Sequence, residues 1–151
     1  MTPDGISDKD WDRVHELAVE IVNAGEGEEG AGYTAQLLAY LDQLEQKYGL
    51  LPSLLATRAD YVAEARESLA LLERAYQLAR ERQDHKNLVY ITSSLASIHI
   101  EHFRNVEQAQ KWLAAFGEAL KHAGAESDIR EHEELTGALE QLRLRELDKN
   151  S

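Results

Sequence analysis

The sequence predicts an all-α protein of about seven helices, arranged as antiparallel hairpins. Three observations carry this. Apolar residues recur at steps of three and four along most of the chain. No run of four or more residues alternates with β-branched character, so no sheet is expected. The 151 residues include only 9 Gly and 2 Pro, too few for the many turns of a sandwich or barrel. The length fits one domain, 1–151, able to bury roughly two-thirds of its unfolded surface without staples. Cysteine is absent, which excludes disulfides, thiolate metal sites and a cysteine nucleophile together.

The elements follow in order. Ser7 reads as an N-cap ahead of Asp8, Lys9 and Asp10, with acids in the first turn. Trp11, Val14, Leu17, Ala18, Ile21 and Val22 then mark a first helix from Asp8 to Asn23. Ala24 to Gly32 holds four glycines and three glutamates and reads as a mobile acidic loop. Leu37, Leu38, Leu41, Leu44 and Tyr48 give a second helix, stopped by Gly49. Pro52 suits the first turn of a third, short helix with Leu54, Leu55, Ala59 and Val62.

Leu69, Leu72, Ala75, Tyr76 and Ala79 give a fourth helix, ending near Asp84. Two apolar stripes mark the fifth as central: Leu88, Ile91, Leu95 and Ile98, and Val89, Ala96, Ile100 and Phe103. The sixth runs from Val106 to His122 with Ala109, Trp112, Leu113, Phe116 and Leu120 inward. Ser127 is expected to cap a seventh helix whose single stripe is Leu135, Leu139 and Leu142. Its other faces are charged, as a terminal capping helix requires. The predicted hairpins are 8–49, 53–84 and 86–123, with the capping helix over 127–148.

Net charge is −12 and sequence pI about 4.9, which disfavours nucleic acid and anionic membrane as partners. The acidity is uneven. Residues 1–49 hold 11 acids and 3 bases, and residues 125–151 hold 8 and 4, whereas the centre is close to neutral. Met1 to Ile6 has neither a basic region nor an apolar core, and stretches such as Leu50 to Ala56 are too short to span a bilayer. A soluble, cytoplasmic protein is the expectation.

The helices resemble one another. Leu55-Ala56 and Leu95-Ala96 lie 40 residues apart at matching places, and Leu72 and Leu113 lie 41 apart. Leu17-Ala18 falls 38 residues before Leu55-Ala56. One hairpin cannot bury its own apolar face, whereas stacked hairpins share a continuous core.

The segment from Leu71 to Phe116 resembles a tetratricopeptide repeat of the longer, roughly forty-residue kind. The marks are the large-small pair Leu95-Ala96, Ala109 near the start of the next helix, Leu113, and an Ala-Tyr-Gln-Leu-Ala helix running to Gln83-Asp84. The match weakens over Leu55 to Glu67 and is poor before that. Two departures stand out: His99 replaces the usual tyrosine, and the usual loop glycine near Asn105 is missing.

The resemblance implies a short right-handed α-solenoid that binds a protein or peptide on its concave face, without cofactor or chemistry of its own. The first helix of each pair would line that face. By register this places there Asp12 and His15; Ser53, Thr57, Asp60 and Tyr61; and Tyr90, Ser93, Ser97 and Glu101. Arg58 is a further polar mark on the third helix. The alternative for Arg58 and Asp60 is that they pair with neighbours and only orient helices.

Three rival chemistries deserve weighing. His99 and His102 stand three apart with Glu101 between, a spacing that can share a metal given a third ligand. No second cluster supplies that ligand by sequence, and a satisfied core histidine is the plainer reading. Thr92, Ser93, Ser94 and Ser97 form a hydroxyl cluster near His99, but mid-helix serines lack the strained turn and oxyanion hole of a nucleophile. Close helix packing explains them better. Finally, Tyr33, Leu37 and Tyr40 beside the acidic loop offer an edge for a homodimer. Trp11 and Trp112 lie on apolar stripes and are expected in the core.

Overall fold

The computed structural model describes residues 1–150. Among them are seven helices and no strand: α1 (Asp8–Ala24), α2 (Glu28–Tyr48), α3 (Pro52–Tyr61), α4 (Ala65–Glu81), α5 (His85–Glu101), α6 (Val106–Leu120) and α7 (Glu126–Lys149). The helices pair as hairpins, α1 with α2, α3 with α4, and α5 with α6, and α7 packs on both α5 and α6. The central role expected for α5 is seen: it touches α3, α4, α6 and α7. None of these helices is long and apolar enough to cross a membrane.

The core is split. One cluster runs from α3 to α7 and includes Leu55, Leu72, Ile91, Leu95, Ala96, Trp112 and Phe116. The other holds Ile6, Val14, Leu17, Leu37, Leu41, Leu44, Leu51 and Leu54. Leu54 near the start of α3 and Tyr61 at its end therefore pack with the first hairpin, whereas Leu55, Ala56 and Ala59 pack with the remaining helices. The two indoles divide the same way: Trp112 is buried, whereas Trp11 is half-buried and only flanks its cluster.

Several local expectations are corrected. The acidic loop is three residues, Gly25 to Gly27, and α2 already begins at Glu28. Glu28 and Glu29 favour a helix start, because carboxylates there meet the positive end of the backbone dipole. Val62 lies just past the end of α3, and Phe103 just past the end of α5. The N-cap of α7 is Ala125, not Ser127, and the Asp128 carboxylate accepts from the Ala125 N–H at 2.8 Å.

Of the edge expected for self-association, Leu37 is fully buried, and the Tyr40 hydroxyl donates toward the Asp10 main-chain carbonyl at 3.3 Å. Asp10 also accepts from Lys47 at 2.8 Å and Tyr48 at 2.5 Å, which holds its carboxyl down at about 2. These bonds tie the base of the first hairpin together.

Two turns place a non-glycine residue in a left-handed conformation, one of them where a loop glycine was expected near Asn105. Gln83 and Arg104 take left-handed conformations, φ 54° and 51°, which non-glycine residues adopt at a cost. After α4 the Asp84 N–H reaches back to the Ala79 carbonyl and the Gln83 N–H to Arg80, which satisfies two end carbonyls. In each case the next residue caps the following helix: Asp84 accepts from the Asn87 N–H and Asn105 from the Gln108 N–H.

Helix α3 has no side-chain cap of its own, since its N-cap is Leu51. Asp4 supplies one from 49 residues away. Its carboxylate accepts from the Ser53 N–H at 2.8 Å and from the Ser53 hydroxyl at 2.9 Å. The N-terminal segment is thereby folded onto the start of α3, with Ile6 fully buried beneath it.

Candidate functional site

Helices α1 and α3 do not pack directly on each other, because α2 mediates between them. A pocket of about 370 Å³ opens there, closed on its third side by α5. Trp11, Val14, His15 and Ala18 come from α1, and Ser53, Ala56, Thr57, Asp60 and Tyr61 from α3. Lys86, Asn87 and Tyr90 come from α5, and Pro3 from the N-terminal segment. A second pocket of about 650 Å³ shares Lys86 and Tyr90 and continues along α5 to the start of α7. Ser93, Ser94, Asp128 and Glu131 help line it.

The floor of the first pocket is apolar and its rim polar. The His15 ring stands tilted to Trp11, centroids 6.1 Å apart. The Tyr90 hydroxyl donates to the Asp60 carboxylate. Asp60 keeps contact with solvent, yet the protein mass around its carboxyl raises its pKa, and the Tyr90 hydrogen bond offsets only part of that. Burial likewise raises Tyr61, and burial together with Asp60 raises Tyr90, so both phenols are neutral donors at ordinary pH.

Of the residues read from sequence, His15, Ser53, Thr57, Asp60, Tyr61 and Tyr90 line this pocket together. Ser93 lines the adjoining one, and its buried hydroxyl donates to Glu131 at 2.6 Å. Ser53 is occupied in holding Asp4, so it shapes the pocket without offering a spare hydrogen. The remaining four line neither pocket. Asp12 and Glu101 are exposed, and Ser97 is half-buried in α5. Arg58 turns to α2 and pairs with Asp42 at 2.5 Å, the orienting role that the sequence left as an alternative.

The sequence reading missed Trp11, Lys86, Asn87 and Pro3 as pocket residues. A signal existed for three of them. Trp11 precedes His15 by four residues, and Lys86 and Asn87 precede Tyr90 by four and three, so each shares a helical face with a residue already singled out. Pro3 had none, because its placement depends on the Asp4–Ser53 contact.

The histidine pair gathers no third ligand around it among the described residues. Phe103 packs against both rings, with centroids 5.6 Å from His99 and 4.9 Å from His102. Among the described residues no three His, Asp or Glu side chains converge as metal ligands. His99 is 5% exposed, and neither ring nitrogen has a hydrogen-bond partner.

Burial holds the His99 imidazole below its ordinary value of 6.5, a desolvation effect that the nearby Glu73 carboxylate only partly counters and Lys111 reinforces. Below pH 6.5 the unfolded chain takes up a proton that the folded chain resists. Stability is therefore full above that pH and falls as pH drops below it. His99→Leu is expected to flatten this slope and to raise stability by about 1 kcal/mol at acid pH, since an unpaired buried polar ring is removed. Urea unfolding at two pH values, one on each side of 6.5, checks both effects.

Comparison of the chain with protein-family models, with curated proteins and with solved structures gave no match in any of the three.

Proposed function

We propose that this protein is a non-enzymatic binding module that takes up a peptide segment of a partner protein along the α1–α3–α5 face. The observation that carries this reading is the convergence of His15, Thr57, Asp60, Tyr61 and Tyr90, from three separate hairpins, on one pocket that continues into a second. The roughly forty-residue spacing of the hairpins supports the same reading, because tetratricopeptide-like stacking aligns the first helix of each pair. Phenol, hydroxyl, carboxamide and carboxylate groups around an apolar floor suit an extended chain. Its side chains fill the pockets while its backbone meets polar partners at the rim.

The test is selection of peptides from a random library on the intact protein, followed by measurement of each selected peptide against Tyr90→Ala. The Tyr90 ring is 45% exposed, so its removal should leave the melting temperature nearly unchanged. Selected peptides are expected to bind the variant about tenfold or more weakly, as loss of an aromatic anchor does. Recovery of no binding peptide, or equal binding to a folded Tyr90→Ala protein, would overturn the proposal.

A further inference from the structure

The pocket between α1, α3 and α5 carries information about what it accepts. Its walls include three aromatic rings, Trp11, Tyr61 and Tyr90, and its one carboxylate is Asp60. Resting on the binding reading above, we infer that the group seated in this pocket is a cationic side chain of the peptide, arginine before lysine, with its charge on Asp60.

Among the described residues Asp60 makes no ion pair, and its one hydrogen bond comes from the neutral Tyr90 hydroxyl. Nearby acids outside the pocket have bases of their own, Asp10 with Lys47 and Asp42 with Arg58, whereas Asp60 is the one carboxylate that lines the pocket. A ligand that covers the pocket removes water from the Asp60 carboxylate. A neutral or anionic group there would strand a desolvated charge, whereas a cation compensates it.

The aromatic walls point the same way, because ring faces carry negative quadrupole potential and attract cations. A guanidinium can lie flat on a tyrosine and still donate to a carboxylate, which places arginine ahead of lysine. The base on the rim is Lys86, an exposed side chain at the start of α5. It opposes a cationic ligand, and this makes the sign of the preference measurable.

The probes are the peptides' own units: N-acetyl amides of arginine, lysine, norleucine and glutamate, titrated into the isotope-labelled full chain and followed by amide chemical shifts. The arginine compound is expected to shift Asp60, Tyr61, Asn87 and Tyr90, lysine more weakly, norleucine and glutamate least. Asp60→Asn keeps an acceptor for the Tyr90 hydroxyl, so the pocket stays formed while arginine binding falls about tenfold, the usual size of a lost charge-assisted contact. Lys86→Gln is expected to strengthen arginine binding about twofold, as removal of a like rim charge does.

An equal response to norleucine, a preference for glutamate, or unchanged arginine binding in Asp60→Asn would overturn the inference. The two readings fail separately. Selected peptides that lack basic residues but depend on Tyr90 would sink the cationic assignment and leave the binding module standing. Absence of any selected peptide would remove the binding module itself, and the cationic assignment with it.

Discussion

Phe116→Ala is expected to lower the unfolding free energy by roughly 3–5 kcal/mol, the range for truncating a buried aromatic ring. Phe116 is fully buried on α6, within the cluster that joins α3 to α7, and its ring meets the edge of His132 on α7 at 5.2 Å. His132 is held in turn by the Leu113 carbonyl at 3.2 Å. Loss of the ring thus leaves a cavity and frees the contact that seats the last helix. Leu41→Ala, in the other cluster, is expected to cost roughly 2–5 kcal/mol. Because the two clusters share no member, the double variant should equal the sum of the singles to within about 0.5 kcal/mol. Urea unfolding of the four proteins measures all of these quantities.

Gly30→Ala and Gly32→Ala are expected to have opposite signs. Gly30 is buried in the first turn of α2, and a Cβ built there lies 2.1 Å from the Gly25 carbonyl oxygen. That oxygen belongs to backbone, so the loop itself must move, at a cost of about 1–3 kcal/mol. Gly32 stands two residues further on with nothing within 4 Å of the same atom. There alanine supplies its better helix propensity, a gain of up to about 1 kcal/mol. Thermal unfolding of the pair separates close packing from backbone freedom, since both positions are glycines of one helix.

These two glycines also show where sequence reading reached its end. Counted together with their neighbours they looked like a mobile loop, because composition averages over a window. The structure instead puts both inside α2, and only one against another part of the chain. The same holds for the turn before Asn105: a missing glycine signalled a departure from the repeat pattern, and the left-handed conformation is carried there by Arg104, as it is by Gln83 after α4. The capping side chains Asp84 and Asn105, one residue later, were present in the sequence and explain how the following helices still start in register.

For the candidate site the division is similar. Reading one face of each odd helix picked out six residues that line one pocket, since residues three or four apart on a helix share a face. It also carried Ser97 and Glu101 too far along α5, because register says which face a residue is on but not where the neighbouring helix crosses it, and it included Asp12, which lies between pocket residues along α1 but on an exposed side. Arg58 left the set for a different reason: a base on that face found Asp42 on α2. Trp11 entered it because a stripe residue near a helix start can flank a core and line a cavity at once.

What the sequence determined by itself was local: seven helices and, from the two apolar stripes it carries, the central place of α5. Each follows from the period of apolar residues within one helix, which needs no distant partner. The tertiary structure decided the rest. It set the division of the core at α3, the capping of that helix by Asp4, the packing of Phe103 against both histidines, and the meeting of Asp60 with Tyr90. Those contacts join residues from different elements, and their existence depends on how helices cross, which side-chain volume and shape fix and hydrophobic period does not.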